Sequence, residues 1–304
     1  MTASGILNID KEAGWTSFQV VAMVRKGSGV RKVGHAGTLD PSASGVLLVC
    51  LGQAVRVSEY LMELAKVYRA RIALGVATDT YDTEGQPVAT GDYSGVTEAH
   101  VREALARFVG SVQQLPPVYS AVKVGGQPAY RLARRGQPVV LKPRTARIDR
   151  IELLAFEPPL VELEVECGKG MYVRTLAHDL GQQLGCGAHL AGLVRTRVGP
   201  FSLDAAASLT ALRQALLDGS WPDLLSPIDY GLLHLPALTL DCEDEKDVRH
   251  GCSVTLDAGS LPAGVAAEGG QRCRAYGEDG SLVAVLIYDE KTLMWRPEKV
   301  FTAL

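Results

Sequence analysis

Hydrophobic residues along this chain follow two periods, and the switches between them mark out the elements. In LVELEVECG, Val161, Leu163, Val165 and Cys167 alternate with Leu160, Glu162, Glu164 and Glu166, which predicts a half-buried strand. Tyr68, Ala70, Ile72 and Leu74 alternate in the same way with Arg69 and Arg71, so the helix-like start of SEYLMELAKVYRARIALGV gives way to a strand near Tyr68. VTEAHVREALARFVGSV instead repeats at helical spacing. Val101, Leu105, Phe108 and Val109 share one face, Thr97 is positioned to cap the helix, and Glu98 lies in its first turn. GMYVRTLAHDLGQQLG starts extended, with Tyr172 and Arg174 on one face of an alternating strand, and passes into a helix that Gly185 ends.

Strands and helices mix without regular alternation, which predicts an α+β protein. LPPVYSAVKVGGQPAYRLARRGQPVVLKPR is interrupted by prolines and glycines and reads as a basic insertion or mobile loop, spanning about residues 115–147. The proline-marked SWPDLLSPIDYGLLHLPAL sets a boundary near residue 235, dividing the chain into units 1–235 and 236–304. Beyond it, HGCSVTL, QRCRAYGEDGSLVAVLIYD and MWRPEKVF are short strand-like runs between Gly and Asp turns, as in a small β-barrel or sandwich.

Composition changes this picture little. At 304 residues, 47% hydrophobic and 21% charged, the chain is an ordinary globular protein large enough for a sizeable core. No basic-then-apolar leader and no window of roughly 18 apolar residues occurs, so the expectation is a cytoplasmic protein with no membrane contact. The six cysteines form no C-x-x-C pair and are expected to be buried thiols. Charge is more telling. The net of −3 hides a basic segment, Ala121 to Arg150, that carries Lys123, Arg131, Arg134, Arg135, Lys142, Arg144, Arg147 and Arg150 against Asp149 alone. Arg25 to Leu39 adds four basic residues and no acid, whereas residues 236–304 hold 7 basic and 12 acidic groups. Such local stripes can track phosphates on a mildly acidic protein, because screening leaves a ligand sensing mainly nearby charges; the alternative is a solvated face.

No phosphate loop, no H-E-x-x-H and no G-x-S-x-G elbow is present, and DTYDTEG fails the spacing of a calcium loop. What remains is a set of carboxylates, tyrosines and arginines around VGHAGTLDPSASGVLLVCLG. Asp40 lies in a loop flanked by Gly34, Gly37 and Gly45, so a backbone or phosphate can approach it closely. Pro41 biases Asp40 to an extended conformation and would aim its side chain reproducibly. Taken alone, an Asp before Pro is more often a turn residue than a catalytic one.

Taken together, NIDKEAGWTS, VGHAGTLDPSASGVLLVCLGQAVRVSEYL, KVYRARIALGVATDTYDTEG, PPVYSAVKVGGQPAYRLARRG and CGKGMYVRTLAHDLGQQLGCGAHLAGLVRTRVGPF resemble the TruB family of tRNA pseudouridine synthases. The likeness runs in order across roughly residues 5–205, and the G-H-x-G-x-L-D-P block is its most specific part. The tail beyond about residue 236 resembles the family's PUA-like domain more loosely. Where the family has Asp-Lys-Pro, this chain has Asp10, Lys11 and Glu12.

The resemblance implies a mixed, mostly antiparallel sheet flanked by helices, with a small β-rich C-terminal domain. It also implies isomerisation of uridine 55 in the tRNA T-loop to pseudouridine, with base flipping and without cofactor or metal. By the family's pattern Asp40 is the essential carboxylate, Arg174 pairs with it, and Asp82 binds the arginine's other edge. Tyr68 stacks on the uracil and is the candidate to help remove the C5 proton. Tyr172 and Leu193 close the pocket, and His35 meets the RNA. Lys11 lies in the substrate-facing set, and the insertion with Lys123, Tyr130, Arg134 and Arg135 clamps the T-arm and orders on binding. The implied partner is the tRNA T-arm stem-loop, with no obligate protein partner and a monomeric chain. Two other readings stay open: a catalytically silent tRNA-binding or folding protein, and a hydrolytic glycosidase using Asp40 and Asp82 as paired carboxylates.

Overall fold

The computed structural model describes residues 3–302 apart from 121, 257–260, 262–264 and 266–267. The main sheet is built from β1 (Gly5–Lys11), β2 (Val33–Ala36), β3 (Ser44–Leu51), β4 (Lys66–Leu74), β5 (Gly110–Gln114), β6 (Arg144–Glu157), β7 (Leu160–Cys167) and β8 (Ala188–Val198). Its order is β1-β3-β8-β4-β7-β6-β5, with β2 on β3 and three two-residue strands completing 11. Pairing is mostly antiparallel, and β3 runs parallel to β8. This is the mixed α+β sheet that the resemblance implies. β3, SGVLLVCL, is buried at every position after Ser44, as a strand covered on both faces must be. β7 alternates as its sequence requires, with Val161, Leu163, Val165 and Cys167 inward.

Helices α1 (Ser17–Ser28), α2 (Ser58–Glu63), α3 (Glu98–Ala106), α4 (Ala129–Arg134), α5 (Val173–Gln183), α6 (Leu209–Asp218) and α7 (Cys242–Arg249) flank the strands. α3 and α5 place Val101, Leu105, Leu176 and Leu180 in one core with Ile72 and Leu163. A second core joins Val20 and Val24 of α1 and Leu209 and Leu212 of α6 to Leu7, Leu47 and Val49. Tyr68 and Leu193 pack against both cores. A large apolar side chain contributes roughly 1.5–3 kcal/mol when fully buried, so these two seams fix the sheet that carries the loops.

Three expectations need correction. The helix begun at Thr97, whose side chain accepts from His100 N, ends at Ala106. Phe108 is buried but Val109 is 49% exposed, because Gly110 takes φ 103 and starts a strand. Arg174 does not follow Tyr172 along a strand. Gly170 at φ 81 breaks the chain after β7, and the helical repeat of Val173, Leu176, Ala177 and Leu180 starts α5 with Tyr172 as its N-terminal cap. Finally, Cys242 and Cys252 are exposed, whereas Cys50, Cys167, Cys186 and Cys273 are buried thiols.

The C-terminal residues form a four-stranded sheet of β9 (Ala237–Thr239), β10 (Arg272–Tyr276), β11 (Leu282–Asp289) and β12 (Met294–Val300). α7 packs against it, which the strand-only expectation missed. Its sequence is almost wholly polar, but Asp241 caps it by accepting from Glu243 N and Asp244 N. This sheet is fastened to the larger one. Val285 and Phe301 lie in a shared core with Leu48, Leu61 and Val198, and Gln53 exchanges two hydrogen bonds with Thr302. Tyr60 Oη donates to Glu298 at 2.6 Å, and Arg272 grips the same carboxylate at 2.6 and 2.9 Å.

Candidate active site

The loop between β2 and β3 carries Asp40, and its backbone is accounted for carbonyl by carbonyl. Gly37 O and Thr38 O accept from the Arg195 guanidinium at 3.0 and 3.5 Å. Ser17 Oγ both donates to Leu39 O at 3.2 Å and accepts from Leu39 N at 3.0 Å. Ala43 N donates to Asp40 O at 3.1 Å, and Gly14 N donates to Pro41 O at 2.8 Å. Asp40 is therefore a turn residue, as its local pattern suggested, with Pro41 at the next position. Being a turn residue does not exclude a second role, since the turn leaves the side chain free and 41% exposed.

Arg174 meets that side chain. Placed in the first turn of α5 and only 8% exposed, it forms ion pairs with two carboxylates, its Nη2 lying 3.0 Å from Asp40 Oδ2 and its Nη1 3.5 Å from Asp82 Oδ2. Asp82 is held in turn by Thr80 Oγ1 at 2.5 Å and Glu84 N at 3.1 Å. It follows Tyr81, whose φ of 66 is rare for a residue with a Cβ and whose ring stacks on His178 of α5 at 4.0 Å. Nη2 of Arg174 also donates to Tyr119 O at 3.0 Å, at the base of the insertion. One guanidinium thus joins the loop, the Asp82 turn and the insertion. A small cleft lined by Asp40, Ser42, Asp82, Arg174, Leu190 and Leu193 opens beside it.

Tyr68, Ala70, Leu193 and Arg195 face each other across β4 and β8, in the register Ala70 with Leu193 and Tyr68 with Arg195. Burial pushes the Tyr68 hydroxyl's pKa up, the nearby Arg195 cation pulls it down, and the Cys167 and Asp40 charges push it up again. Tyr172 is half-buried next to this group, and Gln114 ties its backbone down from both sides, accepting from Tyr172 N and donating to Tyr172 O. Its hydroxyl is also raised by burial, with Arg144 and Arg174 among the opposing influences. His35 of β2 is half-buried, its pKa is lowered first by burial and then by Arg195, and its Nδ1 has no hydrogen-bond partner among the described residues.

Lys11, expected among the substrate-facing residues, lies beneath the loop instead. It is 0% exposed, and its ammonium donates to Glu12 O, Trp15 O and Pro41 O at 3.1, 2.7 and 3.5 Å. Burial pulls its pKa down to about 8 against the opposing charge of Asp40. Glu12, in the place of the family's proline, supplies one of those carbonyls.

The insertion leaves the sheet at Gln114 and returns at Arg144, which are hydrogen-bonded partners. Arg144 and Arg147 therefore belong to β6, and the excursion closes at 143. It holds a hairpin, Lys123–Val124 with Gln127–Pro128, turned by Gly125 and Gly126 at φ 56 and 83, and then α4. Lys123, Arg134 and Arg135 are exposed, and Arg131 and Arg134 lie 5.9 and 5.8 Å from the Tyr130 ring. Arg147 and Arg150 are paired with Asp149, Glu152 and Glu164, whereas Lys123, Arg131, Arg134 and Arg135 of the insertion have no ion pair among the described residues.

Of the residues foreseen from sequence, Asp40, Asp82, Arg174 and Leu193 line the cleft, Tyr68 and Tyr172 lie within reach of the Asp40 charge, His35 lies near Arg195, and Lys123, Tyr130, Arg134 and Arg135 are on the insertion. Ser17, Tyr119 and Arg195 were missed. Ser17 and Tyr119 act through backbone contacts that no spacing reveals, while Arg195 left one signal, a cation inside a strand that is otherwise half-buried. Among the described residues no group of three or more His, Cys, Asp or Glu is placed to hold a metal ion. No helix among them is long and apolar enough to cross a membrane.

Known proteins match this arrangement. The family model for the N-terminal domain of TruB family pseudouridylate synthase matches residues 25–173, and that for the tRNA pseudouridylate synthase B C-terminal domain matches residues 174–233. The tRNA pseudouridine synthase B of Syntrophotalea carbinolica is 47% identical over 84% of this chain and 83% of its own. That of Dehalococcoides mccartyi is 43% identical over 98% and 96%. Among solved structures, a chain of a Cbf5-Nop10-Gar1 complex superposes with a TM-score of 0.76 at 30% identity, covering 98% of this chain and 85% of that one. A chain of an H/ACA RNP bound to a substrate RNA containing 2′-deoxyuridine gives 0.74 at 27% identity, with 98% and 85% covered. The two family models meet between Tyr172 and Arg174, at the cap that turns the arginine toward Asp40, and with relatives this similar over most of their length the chain belongs to the TruB family of pseudouridylate synthases.

Proposed function

We propose that this protein isomerises uridine 55 in the T-loop of tRNA to pseudouridine, with Asp40 as the carboxylate that acts at the sugar. The observation that carries this reading is the pairing of a 41% exposed Asp40 with an 8% exposed Arg174 at 3.0 Å. A buried guanidinium held from two sides orients the carboxylate. Asp82 draws part of the arginine's charge to itself, which keeps Asp40 from being wholly neutralised.

The reaction breaks the N1–C1′ bond, turns the uracil and forms a C5–C1′ bond; the C5 proton leaves and N1 gains one, so no redox partner is needed. An ionised Asp40 serves either route at the sugar, addition to C1′ or removal of the 2′ proton. Tyr68, beside Asp40 at the seam of the two cores, supplies a face for the base, worth on the order of 1–3 kcal/mol, and a hydroxyl for the C5 proton. Leu193 and Tyr172 wall the cleft, and His35 meets the displaced neighbours of the flipped nucleotide. Flipping costs a few kcal/mol. Exposed Lys123, Arg134 and Arg135 offset it by binding phosphates, with Tyr130 stiffened between two arginines.

The test is an unmodified T-arm stem-loop incubated with the protein, with pseudouridine mapped and free uracil measured. Wild type should yield pseudouridine and no uracil. Asp40→Asn should yield neither while binding RNA within about threefold of wild type, since the amide keeps the shape and loses the charge. Substantial turnover by Asp40→Asn, or released uracil from wild type, would overturn the assignment.

A further inference from the structure

Arg195 is 1% exposed and forms no ion pair among the described residues. An unpaired buried guanidinium is costly unless its donors are satisfied. Here backbone carbonyls take three of its donors: Nε donates to Val46 O at 2.7 Å, Nη2 to Gly37 O at 3.0 Å and Nη1 to Thr38 O at 3.5 Å. These carbonyls bracket the Asp40 loop, two of them ahead of Leu39 and the carboxylate and one inside β3. The backbone of Arg195 closes the same bracket. It pairs with Gly45 in the parallel β3–β8 contact, and a Cβ on Gly45 would stand 2.2 Å from Arg195 O, at a φ of 100 that only glycine holds easily. Gly37, at φ 88, leaves room on the other side, where a Cβ would stand 3.4 Å from Arg195 Nη1.

We propose that Arg195 is a positioning residue for the reaction: it sets the height and tilt of the Asp40 turn over the cleft, and through its place opposite Tyr68 it couples the two groups that act on sugar and base. The assignment rests on the function proposed above. A planar fork suits this work and a point charge does not, because three carbonyls on two separate segments must be reached at once. Arg195 differs from Arg174 in touching no carboxylate and facing no solvent, so it acts on Asp40 through the loop backbone. Its charge also bears directly on its neighbours, opposing the burial that raises the pKa of Tyr68 and adding to the burial that lowers that of His35.

Arg195→Lys and Arg195→Met are compared with wild type for melting temperature, T-arm affinity and single-turnover rate of pseudouridine formation. Arg195→Lys should stay folded, bind RNA within about twofold, and turn over about 10- to 100-fold more slowly, the scale expected of a displacement near 1 Å. Arg195→Met should be slower still. Phe301→Ala is the control, since it loosens the core shared with the C-terminal sheet without touching Arg195 or the loop carbonyls, and it should keep its rate at temperatures where it is folded. If the rate in the Arg195 variants falls only in step with the folded fraction or with RNA affinity, or stays within twofold of wild type, Arg195 does not position the loop. Wild type failing to form pseudouridine at all would instead count against the proposed function.

Discussion

Asp82→Asn isolates what the second carboxylate does for Arg174. The substitution keeps the shape and the contacts to Thr80 and Glu84 but removes a charge 3.5 Å from a guanidinium that is 8% exposed. At an effective dielectric of about 20, that interaction is worth roughly 5 kcal/mol gross. Part is returned because Asp82, itself 10% exposed, no longer has to be held desolvated as an ion. Breaking a buried pair outright costs about 3–5 kcal/mol when the remaining charge is left alone. Arg174 is not left alone, because Asp40 stays at 3.0 Å, so the net loss should be about 1–3 kcal/mol. At roughly 2–4 °C per kcal/mol, melting should fall by about 2–12 °C. The chemical consequence is larger than the structural one. With one anchor gone, the guanidinium turns wholly to Asp40 and to Tyr119 O, blunting the carboxylate and loosening its aim. Single-turnover formation of pseudouridine on a T-arm stem-loop, followed by rapid quench below the melting range, should slow by at least about tenfold while RNA affinity is unchanged. A rate within twofold of wild type would mean that Arg174 needs only Asp40, and the argument for a shared charge would be wrong.

Other outcomes follow from the same geometry. Neutralising Arg134 and Arg135 to Gln should weaken T-arm binding and lower the slope of log affinity against log salt by about one for each phosphate no longer gripped; unchanged affinity and slope would remove the insertion from the RNA interface. Phe301→Ala empties a side chain that is 2% exposed in the core joining the two sheets, and should cost about 3–5 kcal/mol in urea unfolding. A loss under about 1 kcal/mol would show that the C-terminal sheet is not fastened there. Lys66 donates to Met62 O and has its pKa pulled down to about 8 from the usual 10.5, mainly by burial and then by Arg195. The unfolded chain therefore holds more protons than the folded one between those values, so this group makes stability rise with pH across that window. Comparing urea midpoints at pH 8 and 10 should show a smaller rise for Lys66→Met than for wild type, and equal rises would contradict the buried ammonium.

By itself the sequence determined the elements whose cause is local. The alternation of Val161 to Cys167, the cap at Thr97 and the stop at Gly185 each follow from contacts within a few residues, and each is where the pattern put it. Motif order also carried Asp40, Asp82 and Arg174 to one expected pair of contacts, which the fold supplies. Tertiary structure decided the rest, because those outcomes depend on pairs distant along the chain. Tyr172 and Arg174 read as an extended pair until β7 ended at Cys167 and the core claimed Leu176 and Leu180 for a helix. Lys11 read as a group facing substrate until the turn after β1 and the loop that follows β2 closed over it, placing the Glu12, Trp15 and Pro41 carbonyls around its ammonium. Arg195 was not singled out from the sequence, since nothing adjacent shows that its guanidinium binds the carbonyls of Gly37, Thr38 and Val46, roughly 150 positions away. Asp40 belongs to both accounts: Leu39 and Pro41 made it a turn, and only Arg174, Arg195 and Ser17, brought in from other elements, made that turn stiff with its carboxylate turned toward the cleft.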